Sequence, residues 1–157
     1  MSDSSGGRTN DPRELYQQVI LEHNKKPRNF GSLEPCSHRA HGINPLCGDD
    51  IDVTLVIEDG KITDIKFKGS GCAISQASSS LMTVNVKGKS VAEAETLVAQ
   101  FREMIRGDLD PSRDENILGR LTLFQGVKDI PSRVKCAVLP WATLSSAIKG
   151  EDTASTE

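Results

Sequence analysis

The sequence predicts an α+β fold in which a short antiparallel β-sheet packs against helices. Apolar and polar residues alternate over residues 51–57 and again over 62–68, and Asp59-Gly60 between them is a hairpin turn signal. Helical patterns then follow one another at 73–87, 91–106 and 132–149 without intervening strands. Strands and helices in separate parts of a chain are typical of α+β proteins, whereas alternating elements would indicate a parallel sheet.

The first predicted element is a helix that ends at Lys25-Lys26-Pro27. Asp11 is its predicted N-cap, and Glu14 completes a capping-box pattern. Its apolar stripe is predicted to contain Leu15, Tyr16, Val19, Ile20 and His23.

The remaining elements have start and stop signals of their own. Residues 38–46 contain a predicted short strand, and 108–131 contain a predicted short helix. Gly88 is expected to close the helix over 73–87. Ser132 is the predicted cap of the last helix, which requires Pro140 to lie within about its first turn.

The chain length predicts one domain, over residues 11–149. Residues 1–10 and 150–157 are rich in small polar and charged residues and are predicted to be disordered tails. Aromatic residues make up only 4% of the chain and the net charge is −3, which argue against nucleic-acid binding. The sequence shows neither an apolar run of about 20 residues nor a signal peptide, so we predict no membrane span and a cytoplasmic location, where cysteines stay reduced.

The four cysteines are therefore candidates for metal binding, thiol chemistry or simple burial rather than for disulfides. Cys47 lies just before the first hairpin strand and Cys72 just after the second, so the antiparallel pairing predicts that they are neighbours at one end of the sheet. Cys136 lies near the start of the last helix, where a thiolate is favoured.

Asp49, two residues after Cys47, would raise the pKa of a nearby thiol unless a cation joins them. Three thiolates and one carboxylate are a suitable tetrahedral zinc set, with a formal charge of −2 once zinc is added. Arg133 and Lys135, which flank Cys136, would offset part of that charge. The alternative, that the cysteines are only buried small side chains, stays open.

A rival cluster of metal-capable residues comprises Cys36, His38 and His41, but their crowding on an extended segment makes convergence on one ion difficult. Their roles stay open at this stage. The glycines of Gly69-Ser70-Gly71 match no nucleotide-binding pattern, and Ser78-Ser79-Ser80 is interpreted as a close-packed helix face.

Three motifs occur in order along the chain: Asn44-Pro45-Leu46-Cys47-Gly48-Asp49, then Gly69-Ser70-Gly71-Cys72-Ala73-Ile74-Ser75, then Arg133-Val134-Lys135-Cys136-Ala137 followed by Trp141. Together they resemble the IscU/NifU-N family of iron–sulfur cluster assembly proteins, most closely its SufU branch. The likeness covers about residues 12–149 and implies a SufE/NifU-like α+β domain, with Cys47, Asp49, Cys72 and Cys136 as metal ligands at one end of the sheet.

The SufU resemblance implies a zinc-dependent, sulfurtransferase-like relay. Cys47 would accept persulfide sulfur from a SufS-type cysteine desulfurase and pass it to a SufBCD-type assembly complex. A ligand from the desulfurase would displace Cys47 from zinc, and Arg133 and Lys135 are candidates for docking that partner.

The chain departs from the scaffold branch of the family at two places. Lys135 stands where scaffold members carry a histidine, and the longer link between Cys72 and Cys136 matches a SufU insertion at about residues 108–128. Two alternatives to sulfur relay stay open: a scaffold that builds a transient [2Fe–2S] cluster on the same ligands, and a structural zinc domain that binds a partner.

Overall fold

A computed structural model describes residues 12–155 of the chain. Asp11 and the predicted N-terminal tail over residues 1–10 lie outside the described residues. The elements, in chain order, are α1 (Pro12–Lys25), β1 (His38–Asn44), β2 (Asp49–Glu58), β3 (Lys61–Ser70), α2 (Ala73–Val86), α3 (Val91–Arg106), a 3₁₀ helix (Gly119–Asp129), α4 (Pro131–Ile148) and β4 (Thr153–Ser155).

The four strands form one sheet in the order β3-β2-β1-β4. The predicted hairpin is confirmed, because β2 and β3 pair antiparallel and the turn residues Asp59 and Gly60 both have positive φ, at 52° and 75°. Two positive φ angles in a two-residue turn match the twist of the flanking strands. Strand β1 pairs antiparallel with the other side of β2, so the α+β fold class is confirmed.

The C-terminal segment differs from its prediction. Residues 150–157 were expected to be a disordered tail, but Thr153–Ser155 form strand β4, which pairs parallel with β1 and makes the sheet mixed. The backbone N–H of His41 also donates to the carbonyl of Asp152 at 2.8 Å. This pairing uses backbone groups only, so the polar side chains of the segment gave no strand signal.

The core lies between one face of the sheet and the helices. Ile51, Val53 and Leu55 of β2 are all 0% exposed, as the alternating pattern predicts. Trp141 of α4 is also fully buried, and its ring stacks on Phe101 of α3 at 4.7 Å between centroids. Helix α4 is therefore at the centre of the helical layer.

Helix α4 approaches the sheet very closely at Gly42 of β1. A Cβ atom on Gly42 would lie only 2.0 Å from Oγ1 of Thr143, so no larger residue fits at this position. The close approach at Gly42 seats α4 directly against β1.

The start of α4 differs from its prediction. Pro131 is the first helical residue and Ile130 is the N-cap, so Ser132 lies inside the helix and Pro140 in its middle. Proline suits the first helical position but removes a hydrogen bond farther along. Pro140 is buried, and Ser78 Oγ of α2 donates to the nearby Ala137 carbonyl at 2.7 Å, so α2 packs against α4 at this level.

The apolar stripe of α1 is narrower than predicted. Tyr16, Val19, Ile20 and His23 face the core at helical spacing, whereas Leu15 is 45% exposed. Leu15 precedes Tyr16 by one residue and therefore lies outside the i, i+3, i+4, i+7 set that meets the core. The edge of the Tyr16 ring contacts Phe124 of the 3₁₀ helix, with 5.9 Å between ring centroids.

Most other helix predictions agree with the structure. The Ser90–Glu93 capping box forms at the start of α3, and Gly107 caps its end with a left-handed φ of 87°. The short helix expected within 108–131 is a 3₁₀ helix with Leu121, Phe124 and Val127 buried. Among residues 12–155, no helix has the length and apolar character that crossing a bilayer requires, and the cytoplasmic location stays a prediction.

His23 is a buried titratable group in the interface between α1 and α2. It is 7% exposed, and its Nδ1 lies 2.7 Å from Ser80 Oγ. Burial lowers the pKa of His23; nearby Arg28 and Arg120 lower it further, and Glu22 opposes them. The folded state therefore favours the neutral imidazole.

We predict that the free energy of unfolding falls as the pH drops below about 6.5, the pKa of an unperturbed histidine. In that range the unfolded chain binds a proton at His23 more readily than the folded chain does. A His23→Gln variant should show a flatter pH profile between about pH 7 and pH 5 in urea unfolding. Parallel profiles for the two proteins would contradict this account.

Candidate metal centre

The candidate centre lies at the end of the sheet where β1 ends and β2 begins. A tight turn joins these strands, and the Asn44 carbonyl accepts hydrogen bonds from the backbone N–H groups of Cys47 at 3.3 Å and Gly48 at 2.9 Å. Gly48 has a φ of 73°, a conformation that glycine adopts without strain. The turn presents Cys47 at the surface, where it is exposed.

Cys72 reaches the same end of the sheet through the hairpin. Ser70, the last residue of β3, pairs with Asp50 of β2, so the chain beyond β3 passes beside the Cys47 turn. Cys72 is the N-cap of α2, and its Sγ accepts a hydrogen bond from the Ser75 N–H at 3.4 Å. Cys72 is partly exposed.

Cys136 comes from the opposite side, in the N-terminal part of α4, and is 0% exposed. The Sγ atom accepts a hydrogen bond from Asn44 Nδ2 at 3.6 Å. Burial raises the pKa of the Cys136 thiol, and interactions with Asp49, Cys47 and Cys72 raise it further. The Cys136 thiol is therefore held close to its protonated form in the metal-free protein.

Ligand atoms of Cys47, Asp49 and Cys136 all lie within 4.8 Å of one another, the one such group of three metal-capable residues among residues 12–155. Ligands of a tetrahedral zinc ion at a Zn–S distance of about 2.3 Å are roughly 3.8 Å apart, so small shifts suffice to close the set. Thiolates with a carboxylate are donors that zinc accepts. Cys72 is outside this group, because its sulfur is directed at the start of α2.

Asp49 is the most strongly held of the four residues. It is 2% exposed, its Oδ1 accepts from the Cys72 N–H at 2.8 Å and Ser75 Oγ at 3.2 Å, and its Oδ2 accepts from Asn44 Nδ2 at 3.0 Å. Burial acts to raise the pKa of Asp49, but these hydrogen bonds and one from Cys136 outweigh it and lower the pKa below its usual value. The carboxylate is therefore charged and fixed in one orientation.

Arg133 precedes Cys136 by three residues on α4 and lies near the three thiols. Its interaction with the Cys136 thiol, followed by those with the nearby Cys72 and Cys47, raises the pKa of Arg133. Both Arg133 and Lys135 are half-buried. A positive charge at this place favours deprotonated sulfur.

The rival cluster does not converge in the structure. His38 Nδ1 lies 2.8 Å from its neighbour Ser37 Oγ. His41 lies between two carboxylates, with Nδ1 2.8 Å from Asp52 and Nε2 3.1 Å from Asp50. Cys36 is half-buried in the loop before β1 and belongs to no metal-capable group among the described residues.

Asn44, Ser75 and Gly71 surround Asp49, and local sequence patterns assign none of them a role. Asn44 and Ser75 donate hydrogen bonds to the Asp49 carboxylate. Gly71 has no side chain and so leaves room for that carboxylate. All three residues belong to the motifs that carry Cys47 and Cys72, which is the one signal that the sequence offers. The interpretation of Ser78, Ser79 and Ser80 as a packed helix face is confirmed, since all three are 0% exposed.

Comparison with known proteins gives a consistent result. The family model described as the NifU-like N terminal domain matches residues 15–137. The chain is 44% identical over 135 residues to the iron–sulfur cluster assembly scaffold protein IscU of Streptococcus pyogenes serotype M1, which covers 86% of this chain and 83% of that protein. It is 41% identical over 139 residues to the zinc-dependent sulfurtransferase SufU of Bacillus subtilis, covering 88% and 92% respectively.

A solved structure has the same fold. The crystal structure of FiSufU, described as an iron–sulfur cluster assembly scaffold protein for the SUF system of Fervidobacterium islandicum AW-1, matches with a TM-score of 0.78 at 37% sequence identity. The match covers 83% of this chain and 94% of that one.

We predict that Gly71→Ala weakens both the fold and metal binding. The added Cβ would lie 2.5 Å from Asp49 Oδ1 and 2.6 Å from Ser75 Oγ, so the carboxylate must move. Overpacking of this kind costs about 1–3 kcal/mol of unfolding free energy, measurable by urea denaturation. Gly126→Ala is the control, because its Cβ would meet nothing within 4 Å, and equal stability of the two variants would refute the prediction.

Proposed function

We propose that this chain, which belongs to the family of NifU-like N-terminal domains, acts in iron–sulfur cluster assembly as a zinc-dependent acceptor of sulfur on Cys47. The sulfur donor would be a persulfide on a SufS-type cysteine desulfurase. The recipient would be a SufBCD-type assembly complex. The 41% identity to a protein named as a zinc-dependent sulfurtransferase supports this choice within the family.

The observation that carries the proposal is the contrast in exposure within the candidate centre. Cys47 is exposed at the tip of a turn, whereas Cys136 is 0% and Asp49 is 2% exposed. A persulfide on another protein can therefore approach Cys47 but cannot reach Cys136. One thiol is placed to react, and the buried residues are placed to hold it.

The proposed reaction is an exchange of sulfur between two cysteines. The Cys47 thiolate attacks the terminal sulfur of the donor persulfide, a new S–S bond forms on Cys47, and the S–S bond of the donor breaks. The electron pair of the broken bond leaves with the donor cysteine as its thiolate. Sulfur moves at an unchanged oxidation state, so the step needs no external oxidant or reductant.

We propose Cys47, Asp49, Cys72 and Cys136 as the zinc ligands. When bound, zinc would supply the positive charge that keeps the Cys47 sulfur deprotonated. Ligand atoms of Cys47, Asp49 and Cys136 lie within 4.8 Å of one another, and Asp49 accepts the N–H of Cys72, so the four residues already form one connected group. The exposure of Cys47 argues against the purely structural alternative, because structural zinc sites are usually closed.

We predict that Cys47→Ala receives no sulfur. Mixing the protein with a cysteine desulfurase and free cysteine should add the mass of one sulfur atom to Cys47 of the wild-type chain, located by peptide mass spectrometry. Cys36→Ala is the matched control, because Cys36 lies outside the candidate centre, and it should be persulfidated normally. Sulfur transfer in the Cys47→Ala variant at the wild-type rate would show that the relay does not run through Cys47.

The same experiment tests the alternative of a cluster scaffold. Relatives from Streptococcus pyogenes and Thermotoga maritima, 44% and 39% identical, are both named iron–sulfur cluster assembly scaffold proteins IscU. Thiolate sites accept iron as well as zinc. Formation of a [2Fe–2S] cluster on the chain when iron is also supplied, with no persulfide on Cys47, would favour the scaffold.

We further propose that Arg133 and Lys135 contribute to docking of the desulfurase. Both lie beside Cys136 on α4 and are half-buried, so each also presents part of its side chain to solvent. Arg133 is the stronger candidate, since its planar guanidinium can bind a carboxylate with two hydrogen bonds.

We predict that Arg133→Ala weakens desulfurase binding roughly 2- to 5-fold at low salt, which corresponds to the loss of one exposed ion pair. The loss should shrink at about 1 M salt, where exposed charges are screened. Calorimetry at both salt concentrations measures it, with Arg102→Ala on α3 as the control. Equal affinities of the wild type and the variant at both concentrations would contradict a docking role.

A further inference from the structure

We propose that Asn44 is a positioning residue of the metal centre, whose side-chain amide holds Asp49 and Cys136 in place as ligands. The inference rests on the proposed function, because it concerns the same metal site. It goes further in naming a residue outside the ligand set that determines how tightly the metal is held.

The Asn44 amide contacts two candidate ligands at once. Its Nδ2 donates to Asp49 Oδ2 at 3.0 Å and to Cys136 Sγ at 3.6 Å. A side-chain amide nitrogen carries two hydrogen atoms, so both contacts can form together. The amide thereby joins a ligand at the start of β2 to a ligand on α4, two elements that are far apart in the sequence.

The orientation of the amide follows from its contact with Asp49. Asp49 is a charged carboxylate and can only accept, so the NH₂ end of the amide must face it. The amide oxygen Oδ1, at the opposite end, has no hydrogen-bond donor within the described part of the chain. It is also shielded from water, because Asn44 is 0% exposed. Burying an unpaired acceptor lowers stability, which points to a role of the amide in donating to these ligands.

The backbone of Asn44 acts on the third ligand. Its carbonyl accepts the N–H groups of Cys47 and Gly48 and so closes the turn that presents Cys47. Asn44 also pairs with Asp49 across the β1–β2 ladder, which fixes its side chain beside the carboxylate. One residue therefore touches Asp49 and Cys136 by its side chain and Cys47 by its backbone.

Hydrogen bonds to anionic ligands have two effects on a bound metal ion. They fix the direction of the donor atoms, and they draw negative charge away from the sulfur. Loss of such an outer contact typically lowers metal affinity 10- to 100-fold. An aspartate at this position would instead add negative charge, and a shorter side chain would not reach both acceptors.

The test compares zinc affinity in full-length wild type, Asn44→Leu and Asn44→Ser, measured by competition with a chromophoric chelator. Leucine has a similar size but no donor, and serine is polar but too short to bridge Asp49 and Cys136. We expect a 10- to 100-fold weaker zinc affinity in both variants. With cobalt in place of zinc, the thiolate-to-metal charge-transfer band should shift or weaken, a change that a purely structural role would not produce.

Asn29→Ser is the matched control, since Asn29 donates to Thr83 away from the centre and should leave affinity and spectrum unchanged. Thermal unfolding of the metal-free proteins shows which variants fold, and serine decides the question if leucine does not fold. Zinc affinity and cobalt spectrum equal to wild type in a folded Asn44 variant would overturn this inference alone. Failure of the wild-type protein to bind zinc would overturn the proposed function together with it.

Discussion

The arrangement at the end of the sheet depends on the buried carboxylate of Asp49. Three donors from three segments converge on it: Asn44 at the end of β1, the Cys72 N–H beyond β3 and the Ser75 hydroxyl in α2. A buried charge is tolerated only when it is well hydrogen-bonded, so these segments are held together by the need to satisfy one group. The glycine at position 71 is part of the same requirement, because a side chain there would occupy the place of the carboxylate.

The three thiols around the Asp49 carboxylate differ in their exposure to solvent. Cys136 of α4 is buried, Cys72 is partly exposed, and Cys47 is exposed at the turn. The difference comes from where each cysteine stands in the fold: a helix packed on the sheet, a helix N-cap and a turn. A site with one accessible sulfur and several protected ligands suits transfer of an atom between proteins better than a site closed on all sides.

Local patterns predicted most of the fold, because alternation, capping boxes and a two-residue hairpin turn are local properties. The prediction that Cys47 and Cys72 lie at the same end of the sheet required only the hairpin. The roles of Asn44 and Ser75 could not be predicted, since each depends on contacts with residues distant in the sequence. The place of Pro140 in the middle of α4 could not be predicted for a related reason: local rules restrict proline to the first turn of a helix, and the contacts that α4 makes with α2 are long-range. Strand β4 was missed because its pairing involves backbone atoms and leaves no trace in the side chains.

Strand β4 also limits the pairing of the sheet edge with other chains. An open edge of β1 would offer unpaired N–H and C=O groups to any extended peptide, the usual start of edge-to-edge aggregation. Thr153–Ser155 cover part of that edge with a short polar strand that has little to attract a further one. A chain shortened before Asp152 would lose this cover, so a few residues outside the metal centre protect the sheet edge.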